Sequence, residues 1–82
     1  MPIDKTIRTE EENQFLRNIG FRIQYLRKKC GLSQQELAER ADMSHNTIGH
    51  LESTSAYGMS IITIFKIAKA LDVTPDQLLK FD

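Results

Sequence analysis

The stretch from Ser33 to Glu52, SQQELAERADMSHNTIGHLE, constrains the fold of this chain more than any other. Its spacing predicts two short helices joined by a tight turn. Ser33 with Glu36 three residues later is a capping box, in which hydroxyl and carboxylate satisfy each other's backbone N–H groups. Leu37, Ala38 and Ala41 then give a small apolar face suited to close packing against a neighbour. Asp42 falls where the chain must turn sharply, and Asp is one of the few non-Gly residues that tolerates a left-handed conformation. Met43 is placed to plug the core beneath that turn. Ser44 reads as a second N-cap, opening a helix over 45–51 whose apolar residues are Ile48 and Leu51.

With Ile48 and Leu51 turned inward, His45, Asn46, Gly49 and His50 are left outside. That face carries small or hydrogen-bonding groups and no aliphatic bulk. It suits a helix pressed against base-pair edges, where Asn pairs with adenine and other polar groups meet donors and acceptors. Two helices joined in this way form a helix-turn-helix, with the second helix as reader. A polar outer face is also what any surface helix needs, and the residues alone leave both readings open.

The run GLSQQELAERADMSHNTIGHLE resembles the Cro/CI-type (XRE) helix-turn-helix family of phage repressors and bacterial regulators. The likeness extends from about Ile19 to Leu79, and its most specific part is S-Q-x-E-L-A followed by S-x-x-T-I-x-x-L-E. The resemblance implies an all-α, five-helix lambda-repressor-like DNA-binding domain with the helix-turn-helix at helices 2 and 3. It implies a sequence-specific transcriptional regulator, a repressor, that binds double-stranded DNA at a near-palindromic operator as a homodimer. It also assigns residues. Gln34 would hydrogen-bond a DNA phosphate, with Gln35 beside it. Ser44, His45, Asn46, Thr47 and His50 complete the DNA-binding set, although Thr47 can also bond locally near the helix start. Arg27 and Glu52 resemble a family ion pair that orients the reading helix against the first. Tyr57, Met59, Ile61 and the apolar residues of the last helix form either a dimer surface or part of the monomer core. The family usually places Gly where Thr54 stands, and the loop here is one residue longer.

Taken in order, the chain gives residues 1–9 as a flexible tail and 10–82 as one helix-turn-helix domain. Thr9 with Glu12 is a capping box, and Glu10, Glu11 and Glu12 favour the positive end of the helix dipole. Phe15, Ile19, Ile23, Leu26 and Cys30 recur at three- and four-residue spacing, predicting a long first helix ended by Gly31. Gly20 lies inside it, where it permits close approach of another helix. Residues 53–59 are turn-rich and predict a loop. Ser60 is an N-cap for a fourth helix with Ile61, Ile64, Phe65, Ala68 and Leu71 on one face, widened by Ile62 and Ile67. Asp72 and Val73 make a turn, and Thr74-Pro75-Asp76-Gln77 starts a short fifth helix with Leu78, Leu79 and Phe81 on its apolar side.

Composition narrows the function classes. The 82 residues suit one domain, and 40% of them are hydrophobic, as in an ordinary globular chain. No apolar run approaches the length of a membrane span, and the N-terminal residues lack the apolar core of a signal peptide. One cysteine cannot close an intramolecular disulfide, which fits a reducing, cytoplasmic setting. Net charge is zero, yet residues 21–40 carry a net plus three, a local basic patch for phosphates. His45 and His50, five residues apart, sit ~140° apart around a helix and cannot chelate one ion together. No metal, cofactor or small-molecule ligand is expected. No nucleophile stands with a base, and no glycine loop cradles phosphate, so the chain does not read as an enzyme. The alternative function is a protein-interaction module, such as an antitoxin or anti-regulator, built on the same fold.

Overall fold

The computed structural model describes residues 9–53 and 59–81. They form four α-helices: α1, Glu10–Lys29; α2, Gln34–Arg40; α3, His45–Ser53; and α4, Ile61–Ala70. A 3-10 turn, Pro75–Leu79, follows, and no strand occurs among the described residues. Residues 1–8 of the expected tail and residues 54–58 of the expected 53–59 loop, Thr54 and Tyr57 among them, lie outside the described residues, while Ser53 is the last residue of α3.

The helix starts follow the capping chemistry. The Thr9 hydroxyl accepts from Glu12 N–H at 3.0 Å while the Glu12 carboxylate accepts from Thr9 N–H at 2.8 Å. The same exchange joins Ser33 and Glu36 at 3.0 and 2.8 Å. The Ser33 backbone N–H first, then its hydroxyl, hold the exposed Glu36 carboxyl below the usual carboxylate range. Ser60 caps α4 by accepting from Thr63 N–H at 3.0 Å.

The helix ends repeat one device. After α1, Gly31 takes φ 73°, and Leu32 N–H returns to Arg27 O at 3.1 Å. After α2, Asp42 takes φ 57°, and Met43 N–H returns to Ala38 O at 2.9 Å. After α4, Asp72 takes φ 59°, and Val73 N–H returns to Ala68 O at 3.0 Å. These are Schellman closures, with aspartate twice in the position glycine usually holds. Each turns an apolar residue (Leu32, Met43 and Val73) back onto the core.

The expected fifth helix is corrected to a single 3-10 turn. Only five residues lie between Thr74 and Lys80, whose backbone is extended at φ −96°, ψ 110°. So short a segment cannot repay α-helix nucleation and tightens instead. Thr74 has N-cap geometry, but its hydroxyl makes no cap bond. Leu78 is fully buried, whereas Leu79 is exposed, and Phe81 meets Phe15 edge-on with ring centroids 5.8 Å apart. Arg22 Nε donates to Gln77 O at 2.9 Å, tying the turn to α1.

The core is built from Ile19, Ile23 and Leu26 of α1, Leu37 and Ala38 of α2, Ile48 and Leu51 of α3, and Ile67 and Ala68 of α4. Leu32, Leu71 and Leu78 close its edges. Two stripes differ from expectation. On α1, Phe15 and Cys30 are exposed, since Cys30 is already the C-cap. On α4, the face meeting α2 and the closing turn runs through Ile64, Ile67, Ala68 and Leu71, which turns Ile61, Ile62 and Phe65 outward. No described helix is long and apolar enough to cross a membrane.

Gly20 brings α1 against the C-terminal half of α3. A Cβ there would collide with the Leu51 carbonyl oxygen, with the Glu52 carbonyl 3.4 Å away. Both obstacles are backbone and cannot swing aside. Gly49 is the opposite case, because a Cβ there would meet only the Gln34 Oε1 at an ordinary 3.8 Å. One substitution is therefore expected to change sign between the sites. Gly49→Ala should stabilise by about 0.5–1 kcal/mol through helix propensity. Gly20→Ala should lose ~1–3 kcal/mol to overpacking. Urea unfolding midpoints check both; a stabilised Gly20→Ala would mean that α1 and α3 can part freely.

Candidate nucleic-acid interface

Ser44 begins α3 from outside, its hydroxyl accepting from Thr47 N–H at 3.1 Å. The Thr47 hydroxyl lies 2.7 Å from the Ser44 hydroxyl, so it is engaged at the helix start. Ile48 and Leu51 point into the core, which leaves His45 and Asn46 exposed and Gly49 and His50 half-buried. At the far end, the Ser53 hydroxyl donates to Gly49 O at 2.6 Å. The outward face thus consists of one helix with hydrogen-bonding side chains at both its start and its last turn.

This helix is held from beneath by a buried ion pair. Arg27 Nε donates to Glu52 Oε2 at 2.7 Å, and Arg27 Nη2 donates to Glu52 Oε1 at 3.0 Å. The Glu52 side chain is 1% exposed and that of Arg27 9%. A third Arg27 bond, Nη1 to Leu32 O at 2.8 Å, anchors the guanidinium to the turn before α2. The fork geometry fixes the angle between α1 and α3 as well as their distance, because two parallel N–H···O bonds tolerate little rotation.

Gln34 extends this network to the outer face. Its Nε2 donates to Glu52 Oε1 at 3.1 Å, and its Oε1 lies 3.2 Å from His45 Nε2. The side chain bridges the end of α3 to its beginning, keeping one amide hydrogen for a further partner. Sequence spacing gave no hint of this bridge, since Gln34 and Glu52 are 18 residues apart. The signal that could have found it is chemical: a glutamine beside a buried carboxylate has a natural use.

Other candidate contact residues lie outside α3. Gln35 is exposed beside Gln34 on the first turn of α2, and Arg40 is exposed at that helix's other end. Lys28 and Lys29 end α1, where Lys29 Nζ lies 5.9 Å from the Tyr25 ring centroid and Arg22 lies 5.5 Å from it. Met59 is half-buried against the core, whereas Ile61 is 85% exposed. No group of histidine, cysteine and acidic residues able to hold a metal ion occurs among the described residues.

Comparison with known proteins gives a consistent picture. A family model described as helix-turn-helix matches residues 23–78. The restriction-modification controller protein C.AhdI from Aeromonas hydrophila is 35% identical, with a TM-score of 0.73 over 77% of this chain and 94% of its own. The master regulator for biofilm formation SinR, solved in complex with DNA, is 35% identical, with a TM-score of 0.71 over 76% of this chain and 98% of its own. A hypothetical transcription factor, NHTF from Neisseria, shares the fold at a TM-score of 0.77 and 24% identity, over 90% of this chain and 84% of its own. No curated protein matches the chain.

Proposed function

The chain belongs to the Cro/CI-type (XRE) helix-turn-helix family, and from that premise we propose that it is a sequence-specific DNA-binding transcriptional regulator acting as a repressor. The observation that carries the reading is the outward face of α3. It presents His45, Asn46 and His50 from a helix whose inner side is locked by Ile48, Leu51 and the Arg27–Glu52 fork. In the proposed complex, α3 enters the major groove and its side chains meet base edges, while Gln34, Gln35, Ser44 and Thr47 lie at the groove wall near phosphates. SinR, solved on DNA, supports the reading by its likeness over most of this chain.

Salt dependence tests DNA binding against the alternative of a protein-binding module. Counterion release should weaken duplex binding by roughly 10³-fold or more between 50 and 200 mM salt if six or more phosphates are contacted. Fluorescence anisotropy of a labelled duplex measures this. A flat titration would favour a protein partner instead.

The site is proposed to be two-fold, with a second copy seated on α4. Ile61, Ile62 and Phe65 stand exposed on adjoining positions of that helix, a contiguous apolar surface that a solitary domain would leave in water. Pairing there would set two reading helices ~34 Å apart on a near-palindromic site. The double variant Ile62→Lys/Phe65→Lys is expected to sediment as a monomer. It should lose affinity for a two-half-site duplex by at least ~10-fold while keeping its affinity for a single half-site. A native protein that stays monomeric at micromolar concentration would contradict this arrangement.

A further inference from the structure

The first residue of α3 carries an imidazole whose protonation pattern is dictated from inside the fold. A carboxylate only accepts hydrogen bonds. Glu52 Oε1 can therefore take the Gln34 amide only through its N–H, which fixes Nε2 inward, 3.1 Å from that oxygen. The amide cannot be turned over, and Gln34 Oε1 must face His45 Nε2 at 3.2 Å. An amide oxygen only accepts, so His45 Nε2 carries the hydrogen. In the neutral ring, the other nitrogen, Nδ1, is then a bare lone pair.

We propose that His45 is a specificity-determining residue that reads an amino group through Nδ1, and that Gln34 is the positioning residue that sets this polarity. In the major groove adenine and cytosine present an exocyclic amine, whereas guanine and thymine present acceptors alone. The contacted base is accordingly adenine or cytosine. The chain of dictation runs from the Arg27 guanidinium to Glu52, from Glu52 to Gln34, and from Gln34 to the ring, alternating donor and acceptor at each step. This inference rests on the reading of α3 as the base-reading helix.

The test reverses the relay. In Gln34→Lys an ammonium replaces the amide, and an ammonium donates to every neighbour. It can satisfy Glu52 and still force His45 Nε2 to accept, moving the ring hydrogen to Nδ1. Gln34→Met removes the bond without reversing it and serves as the second variant, with an unchanged amide spectrum as the check on folding. Nitrogen-15 NMR of the intact protein at about pH 8, where imidazoles are neutral, reads the tautomer directly. The expected result is the Nε2–H form in the native protein, the Nδ1–H form in Gln34→Lys and a mixture in Gln34→Met.

Selection from random duplexes with native protein and with His45→Ala locates the base position that depends on His45. There the native protein should prefer adenine or cytosine by roughly 10-fold, a single good base contact, and Gln34→Lys should shift the preference to guanine or thymine. A native preference for guanine or thymine, a tautomer indifferent to residue 34, or no position dependent on His45 would each overturn the relay. A pool in which the native protein enriches nothing would instead overturn the DNA-reading function itself.

Discussion

Glu52→Ala is expected to lower the free energy of unfolding by about 3–5 kcal/mol, the usual cost of removing one partner of a buried ion pair. The reason lies in what is left behind. Arg27, 8% exposed as a residue, would keep a full charge with only the Leu32 carbonyl to receive it. Gln34 Nε2 would lose its acceptor at the same time. For a domain of this size the loss corresponds to a fall in Tm on the order of 20 °C, measured by circular dichroism melting. The paired replacement Arg27→Met/Glu52→Leu should recover much of the loss, because an apolar pair of similar volume pays no desolvation penalty. It should not recover DNA affinity, since Gln34 and the end of α3 would still lack their anchor. A drop of under 1 kcal/mol in Glu52→Ala would mean that water reaches the pair and that the fork does not set the helix angle.

Asn46→Ala is the second large effect, and it falls on recognition rather than stability. Asn46 is exposed on the outward face of α3 and contributes nothing to the core. Its loss should lower affinity for the selected duplex by roughly 1–3 kcal/mol while leaving binding to random duplex unchanged. His50→Ala should behave in the same way, with a smaller effect if its half-buried ring meets a phosphate rather than a base. The comparison of the two duplexes is what decides. Equal loss on both would assign these side chains to the backbone of the DNA, and the base code would then have to be carried by His45 alone.

Much of the architecture can be read directly from local chemistry. Thr9 with Glu12, Ser33 with Glu36, and Ser60 start helices where their hydroxyls find N–H groups within the next turn. Gly31 and Asp42 end them where a left-handed residue is needed. All of these are interactions within a few residues, so the linear order of the chain contains them. Helix 4 is harder. Ile61, Ile62, Ile64, Phe65 and Ile67 surround the helix so completely that several apolar faces compete, and only the positions of α2 and the closing turn select one. The closing segment shows a similar limit, because Pro75 favours a helical start equally well for an α-helix and for the 3-10 turn that forms.

The candidate site divides along the same line. That the outer face of α3 is polar follows from Ile48 and Leu51 taking the inner one. The link from Arg27 through Glu52 and Gln34 to His45 joins residues of three helices, and it depends on how closely those helices approach. Gly20 permits the approach, as its place inside the first helix suggests from the sequence, whereas the identity of what approaches it, the Leu51 carbonyl, emerges only in the fold. Reading the sequence alone gave Gln34 a single outward task. In the fold, the same amide also faces inward, and its two ends have different jobs.

The measurement that bears most directly on the central claim is selection from a random duplex DNA pool at about 100 mM salt, where purely electrostatic binding is suppressed. The account predicts a defined sequence, arranged as an inverted repeat, whose information content collapses at particular positions in His45→Ala and Asn46→Ala. A pool that remains random under these conditions would contradict the assignment of α3 as a reader of bases.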